Sequence, residues 1–286
     1  MEAGEPSPCF SRASYEERCL LMIDIHSHIL PGLDDGAASM EEAVAMARFA
    51  LAGGIRCMVA TPHVKKGKYD NDREKIVDAM ASLRKVLLKK EIRLFVMPGA
   101  EYSLEPDLPQ RFSRGELLTI NNKGRHLLVE LPAEFVPDYT ATVLYDLQLQ
   151  GVTPIIVHPE RNAVFTRDHS RFYELVARGA LAQITAGSLG GLFGRTSDAA
   201  ARAFLEQGCA HFIASDAHAS TGRIQYMETA IKEAVNLLGN EAGMKVAKEN
   251  PQRVVQGEHI EAGEIKKRQS SRNGLFHFFR KNANRA

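Results

Sequence analysis

Six of seven short apolar runs in this 286-residue chain carry histidine, aspartate or glutamate at or near their C-terminal end, and no other feature limits the possible folds as strongly. The runs are LLMIDIHSH (20–28), IRCMVATPH (55–63), LFVMPGAE (94–101), HLLVELP (126–132), TPIIVHPER (153–161), LAQITAGS (181–188) and CAHFIASDAH (209–218). Only LAQITAGS carries no candidate metal ligand. Stretches with helical spacing separate the runs. Apolar, β-branched runs alternating with helices predict an α/β fold in which a parallel sheet is covered by helices. In such folds the C-terminal strand ends gather on one face, where the chemistry sits.

Composition narrows the class further. The length suits one barrel-type domain with a full core, and 44% hydrophobic with 25% charged residues is the balance of a soluble globular protein. Net charge is +1, but residues 265–286 hold seven Lys/Arg and no acid. The remainder carries 29 Lys/Arg against 35 Asp/Glu, a sign that disfavours a nucleic-acid groove. Cys9, Cys19, Cys57 and Cys209 show no paired spacing, so neither a zinc ribbon nor a disulfide scaffold is indicated. No apolar run reaches the roughly 18–20 residues of a membrane span. Residues 1–21 lack a signal-peptide pattern, and a reducing, cytoplasmic location is the expectation.

Three regions are expected: a disordered N-terminal extension at 1–19, one domain over 20–260, and a basic, flexible tail at 261–286. Ser39-Met40-Glu41-Glu42 is a capping-box pattern, with Ala43, Ala47, Ala50 and Leu51 following at helical spacing and Gly53-Gly54 closing the helix. A second helix is expected over 71–90, with Ile76, Met80, Leu83 and Leu87 on one face. Others are expected near 138–150, 168–178, 197–207, 223–238 and 241–249.

The candidate ligands come from the run ends. Residues two apart in a strand share a face, so Asp24, His26 and His28 should point together, with Ile23 and Ile25 packed under helices. His26 and His28 could grip one divalent ion, and Asp24 could orient a ring through its second nitrogen. Asp35 of Asp34-Asp35-Gly36 could reach the same site, although Asp-Gly also makes an ordinary turn. Glu101 ends an apolar strand tip. Glu130 lies inside LLVELP, where a carboxylate is costly unless paired or metal-bound. Asp216 and His218 again share a face. His63 and His158 follow strands two and five; either alone could equally be a core or capping residue. Nine candidates (His26, His28, Asp35, His63, Glu101, Glu130, His158, Asp216 and His218) exceed the needs of one ion and suit two or three sharing carboxylates. The mixed imidazole and carboxylate set suits manganese, iron or zinc. Arg161 and Arg223 could fork onto a phosphate, or form surface ion pairs. Lys65, Lys66 and Lys68 could draw an anion to the mouth, or simply be solvated.

Absences narrow the chemistry. There is no Cys with Arg six residues later, no H-E-x-x-H, no phosphate-binding Gly-Lys-Ser/Thr loop and no G-x-S-x-G elbow. Water activated by metals is therefore the expected nucleophile.

The ordered segments IDIHSHILPGLDDGA (23–37), TPH (61–63), GAEY (99–102), LVELP (128–132), HPER (158–161), ASDAH with GR at 222–223, and ENPQRVV (249–255) resemble the PHP (polymerase and histidinol phosphatase) superfamily. Within it, they are most similar to the bacterial manganese-dependent protein-tyrosine phosphatases of capsule and exopolysaccharide operons. The resemblance runs from about residue 22 to 256. It implies a distorted (β/α)7 TIM-like barrel with up to three metals, manganese foremost. It implies that His26, His28, Glu101 and Asp216 hold one metal. Glu101 would bridge to a second with Glu130 and His158. Asp35, His63 and His218 would complete a third, with Glu130 bridging, and Arg161 and Arg223 would bind the phosphate. The implied substrate is phosphotyrosine on a membrane-associated autokinase of polysaccharide export.

Two other readings stay open: another phosphoesterase of the superfamily, such as a histidinol-phosphate phosphatase, and a metal-binding regulatory module without turnover. The tail at 266–285 mixes seven cations with Leu275, Phe276, Phe278 and Phe279, a composition suited to weak contact with an anionic membrane surface.

Overall fold

A computed structural model of the chain describes residues 22–263 and residue 265. The extension at 1–19 and the membrane-contact segment at 266–285 lie outside the described residues. Each of the seven apolar runs contains a strand. In chain order these are β1 (Met22–Ser27), β2 (Ile55–Ala60), β3 (His63–Val64), β4 (Phe95–Pro98), β5 (Glu101–Ser103), β6 (His126–Glu130), β7 (Thr153–Val157), β8 (Leu181–Thr185) and β9 (Phe212–Ala214). The second and third runs each hold two strands, because Thr61-Pro62 and Gly99-Ala100 interrupt them.

Every strand pairing is parallel. One sheet has the order β1-β2-β4, the other β3-β5-β6-β7-β8-β9. Across the break, Glu101 N donates to Pro62 O at 3.1 Å. At the far edge Ser27 bridges Ala217 in parallel, His28 N donates to Ala217 O at 2.8 Å, and Asp216 N donates to His26 O at 3.0 Å. The fold is α/β with parallel sheets.

Helices fill the connections: α1 (Met40–Ala52), α2 (Arg73–Lys89), α3 (Leu108–Ser113), α4 (Thr140–Leu149), α5 (Ala163–Arg167), α6 (His169–Ala177), α7 (Ala186–Leu189), α8 (Gly194–Glu206), α9 (Tyr226–Leu238), α10 (Asn240–Met244) and α11 (Asn250–Gln256), with a π turn at Lys245–Glu249. Ser39 caps α1 as read, accepting from Glu42 N at 3.3 Å. The reciprocal arm of the box is redirected: Glu42 Oε1 accepts from Ser220 N at 2.6 Å and so ties down the turn after His218. Ile76, Met80, Leu83 and Leu87 form the buried stripe of α2. The short α3 and α7 carry too few turns for a periodic signal, and Pro251 begins α11 where it reads in sequence as a stop. Among the described residues no helix is long and apolar enough to cross a membrane.

Alternate strand residues serve two cores. Leu127 and Val129 pack outward with Leu104, Leu147 and Ile156; Leu128 joins Ile23, Ile25, Val59, Ile155, Leu181 and Phe212 in a separate cluster that Val254 and Val255 of α11 help close. This corrects the reading of β1. Ile23 and Ile25 belong to that second cluster and not to the layer under the helices. The pairing of β1 with β2 shifts register between Asp24 and Ser27. An extra residue reverses strict alternation. His26 can then face the same side as Ile25, and its ring meets Gln183, two residues beyond Leu181 on β8.

Candidate metal centre

The deepest part of the site is built from four donors on three strand ends. Four atoms face one another: His26 Nε2, His28 Nε2, Glu101 Oε2 and Asp216 Oδ1. His26 Nε2 lies 3.3 Å from His28 Nε2, 3.3 Å from Glu101 Oε2 and 3.5 Å from Asp216 Oδ1; His28 Nε2 lies 3.4 Å from each of those oxygens. Ligands about 2.1 Å from one ion stand about 3.4 Å apart, so His26, His28 and Glu101 are spaced to share an ion, while Asp216 faces the same two imidazoles from outside that set. All four residues are buried.

Glu101 extends the cluster outward through both carboxylate oxygens. Its Oε1 lies 3.1 Å from His158 Nε2, and its Oε2 lies 2.8 Å from His63 Nδ1. Glu101 Oε2 and His63 Nδ1 are buried and, although close to each other, neither is aligned for a hydrogen bond. Glu130 stands 3.9 Å from His158 and 3.8 Å from His63. His63 turns its other nitrogen to Asp35 at 3.5 Å, and His218 Nε2 approaches the same Asp35 oxygen at 3.5 Å. Three sets lie close enough to share an ion, their donor atoms within 4.8 Å of one another: His26, His28 and Glu101; His63, Glu101 and Glu130; and Asp35, His63 and His218 with His28. The structure thus gathers all nine candidate donors in one cluster, buried at the base and opening outward to Asp35, which is 49% exposed.

The residues that aim the rings differ from the expected one. His28 Nδ1–H donates to Asp34 Oδ2 at 2.6 Å and His26 Nδ1–H donates to Gln183 Oε1 at 2.7 Å. Each partner oxygen only accepts, so each ring keeps a proton on Nδ1, and Nε2 is the nitrogen whose lone pair an ion would take in place of a proton. Asp24 orients no ring; its carboxylate accepts from Ser215 N at 3.0 Å, from the Ser215 hydroxyl and from His26 N at 3.3 Å. Asp34 is positioned by the turn that brings Asp35 to the mouth. A Cβ on Gly36 would lie 2.2 Å from the carbonyl oxygen of His28, so only glycine lets this turn fold back there. Gln183 was legible in principle: a buried amide in an apolar strand is as costly as Glu130 unless bonded.

Two donors sit on unusual backbone. His158 has φ 37° and Asp216 φ 53°, both in the left-handed region. Such conformations cost of order 1–3 kcal/mol for residues with a Cβ and recur where side chains are aimed at a function.

The electrostatics follow from burying mixed charges. Burial alone would raise the Glu101 carboxyl, but His26 and the neighbouring imidazoles outweigh it and hold it well below the usual range. Asp216 behaves likewise, against burial, chiefly through His26 and His28. Burial would lower His28, yet Asp216, Asp34 and Glu101 hold its proton well above the ordinary imidazole range. Burial pushes His218 down to about 4. The base of the site is thus a nest of carboxylates balanced by protons on imidazoles.

Arg161 and Arg223 stand at the rim. Each donates from Nη1 to Asp216 Oδ2, at 2.7 and 2.6 Å. Neither is the surface pair that was the alternative. A cavity of about 210 Å³ opens between them and the Lys65–Tyr69 hairpin, lined also by Glu130 and His158. The Tyr69 ring lies parallel to His63, 5.5 Å away, and Lys68 Nζ sits 4.6 Å from its centre. A larger cavity of about 470 Å³ opens at the opposite, strand-start end beside Arg125, His126 and His259. It lacks converging donors, so chemistry and not volume locates the site.

Parallel strands that deliver imidazoles and carboxylates to one mouth, beneath paired guanidiniums, define an α/β protein with the donor set of a multi-metal centre. The family described as capsular polysaccharide synthesis, CpsB/CapC, matches residues 22–256, and the chain belongs to it. The chain is 40% identical over 225 residues to the tyrosine-protein phosphatase YwqE of Bacillus subtilis (strain 168), covering 79% of this chain and 87% of that protein. It is 31% identical over 248 residues to the tyrosine-protein phosphatase CpsB of Streptococcus pneumoniae, covering 84% of this chain and all of that one. A crystal structure from work on YwqE and CpsB, described as unique metal-dependent tyrosine phosphatases, superimposes with a TM-score of 0.82 at 38% identity, over 86% of this chain and the whole of the other.

Proposed function

We propose that this chain is a metal-dependent protein-tyrosine phosphatase that hydrolyses phosphotyrosine on a protein. The observation that carries the reading is the pair of buried imidazoles, His26 and His28, each 3.3–3.5 Å from the Glu101 and Asp216 carboxylates, with Arg161 and Arg223 donating to that same Asp216. The relatives' names support the same activity. His26, His28, Glu101 and Asp216 would hold one ion. Glu101, Glu130 and His158 would hold a second, and Asp35, His63 and His218 a third. The unbonded Glu101 Oε2 fits that assignment, because a cation would satisfy it; His63 Nδ1, which faces Glu101 and Glu130, would let His63 also serve the second ion. Manganese is the expected metal, with iron or zinc also suited to these donors. Bound divalent ions would make water nucleophilic near neutral pH and screen the charge on the phosphoryl group.

The chain's own residues do the rest. Arg161 and Arg223 would bind two phosphate oxygens in planar forks and hold the phosphorus over the donor cluster. Asp34 and Gln183 keep the lone pairs of His28 and His26 aimed inward. Tyr69 and the lysine-bearing hairpin form the wall against which the rest of the substrate would lie. We read residues 20–260 as the catalytic domain and its seven strand segments as a distorted (β/α)7 barrel. The Ser27–Ala217 bridge supports closure. We further propose a cytoplasmic site of action on a membrane-associated autokinase; the buried Cys57 and Cys209, neither of them in a disulfide, suit a reducing compartment.

The test is hydrolysis of a phosphotyrosyl peptide by metal-stripped protein, with each divalent ion added back. Turnover restored by manganese is the expected result. Preferential turnover of histidinol phosphate would favour the other phosphoesterase reading, and ion binding without turnover the regulatory one.

A further inference from the structure

The two arginines share one aromatic neighbour that the phosphatase reading leaves unused. The guanidinium carbon of Arg161 lies 4.4 Å from the centre of the Phe193 ring, and that of Arg223 lies 5.3 Å from the same centre. Both fall within the roughly 6 Å reach of cation–π attraction. Both guanidiniums also donate to a single oxygen, Asp216 Oδ2. Two like charges are thereby drawn to one point, and their repulsion opposes the arrangement. Asp216 is a divided counter-charge, because its Oδ1 faces His26 and His28 at 3.5 and 3.4 Å. An ion held there would compete for the carboxylate's charge. The negative face of an aromatic ring is independent of that competition.

Phe193 is placed by specific packing. Leu192 N donates to Gly187 O at 2.9 Å, which curls the segment after α7 back on itself. A Cβ on Gly187 would lie 2.9 Å from Leu192 Cδ2 and 3.2 Å from Phe193 Cε2, so the bare glycine leaves the ring its position. Glu160 ties this segment to an arginine. It sits between His158 and Arg161, fully buried, and its Oε1 accepts from Thr185 N at 2.9 Å and from Ser188 Oγ at 2.7 Å. One carboxyl therefore joins the turn that carries Arg161 to the start of the segment that carries the ring.

We infer that Phe193 is a positioning residue whose ring face holds Arg161 and Arg223 side by side, so that both present donors to one phosphomonoester dianion. The inference rests on the phosphatase reading above. It is tested on the full chain loaded with manganese, comparing wild type with Phe193→Leu and Phe193→Tyr. Phosphate affinity is measured by calorimetric titration with inorganic phosphate, metal content by elemental analysis, and kcat and KM with a phosphotyrosyl peptide. Leucine keeps an apolar side chain but removes the quadrupole. Phe193→Leu should weaken phosphate binding about ten-fold and raise KM in proportion, with metal content unchanged. Phe193→Tyr should restore both to within about two-fold. Wild-type phosphate affinity in Phe193→Leu, equal weakening in Phe193→Tyr, or loss of metal from either would overturn the inference. The titration reads the ring's part even if wild type turns over no peptide, an outcome that sinks the phosphatase reading alone.

Discussion

Asp216 divides its work between two oxygens, Oδ1 toward the imidazoles and Oδ2 toward the arginines, and that division makes single substitutions separable. Arg161→Ala removes one fork from Oδ2 and leaves Oδ1 alone. Phosphate affinity and kcat/KM should fall roughly ten- to hundred-fold with metal content intact; metal loss would show that Arg161 supports the donor cluster instead. Gln183→Leu acts on the other side. It removes the oxygen that accepts from His26 Nδ1 and frees the ring to turn. Metal affinity, measured by competition with a chelator, should drop about ten- to hundred-fold, whereas an unchanged affinity would mean the ring is held by packing alone. At this scale the nine donors were legible because a charged or imidazole side chain closing an apolar run is conspicuous. Asp34 and Phe193 were not, since each acts only through a neighbour brought close by folding; Gln183 showed only as a costly amide in an apolar strand, with no sign of its partner.

At the scale of elements, the apolar runs gave away the strands because parallel strands are buried on both faces. Helix positions followed from the stripes on α1 and α2. What stayed hidden was local: the register shift in β1, the breaks at Thr61-Pro62 and Gly99-Ala100, and the one-turn helices, none of which alters average hydropathy. Strand ends opposite the site have their own chemistry. His126 opens β6 and His211 precedes β9, and burial pushes both down to about 4. His211 Nδ1 accepts from Ala182 N at 3.0 Å and its Nε2–H donates to Ala262 O at 2.8 Å, a pairing that requires the neutral ring. The unfolded chain protonates both near their ordinary value of 6.5, whereas the folded one resists until about 4. Their stabilisation is complete above that ordinary value and is lost as pH falls toward 4. Each should cost about 2 kcal/mol of unfolding free energy between pH 7 and 5. Urea midpoints at the two pH values, for wild type and His126→Gln, check this: the variant should lose less stability on acidification, and identical slopes would exclude His126.

For the molecule as a whole, the cluster is a store of buried charge that a cation would balance. The folded chain gathers donors that lie as far apart as His26 and His218, so the unfolded chain cannot offer the same site. Binding energy therefore adds to folding stability. At an ion concentration a thousand times the dissociation constant the gain is about 4 kcal/mol. For a domain of this size that is about 10 °C in Tm. Metal-stripped protein should melt about that much lower than protein resupplied with manganese, and a chelator should both silence and soften it. The double variant His26→Ala, His28→Ala should lose activity and the manganese-induced rise together, because it deletes two of the four deepest donors. Its own Tm should also fall below that of stripped wild type, since Asp34, Glu101 and Asp216 then keep their burial and lose the protons that His26 and His28 set against it. Alkylation of the folded protein should change neither property, as Cys57 and Cys209 are buried away from the donors. Thermal scans of these samples decide the matter: equal Tm with and without manganese in wild type, at confirmed occupancy, would mean the ion binds without being coupled to the fold.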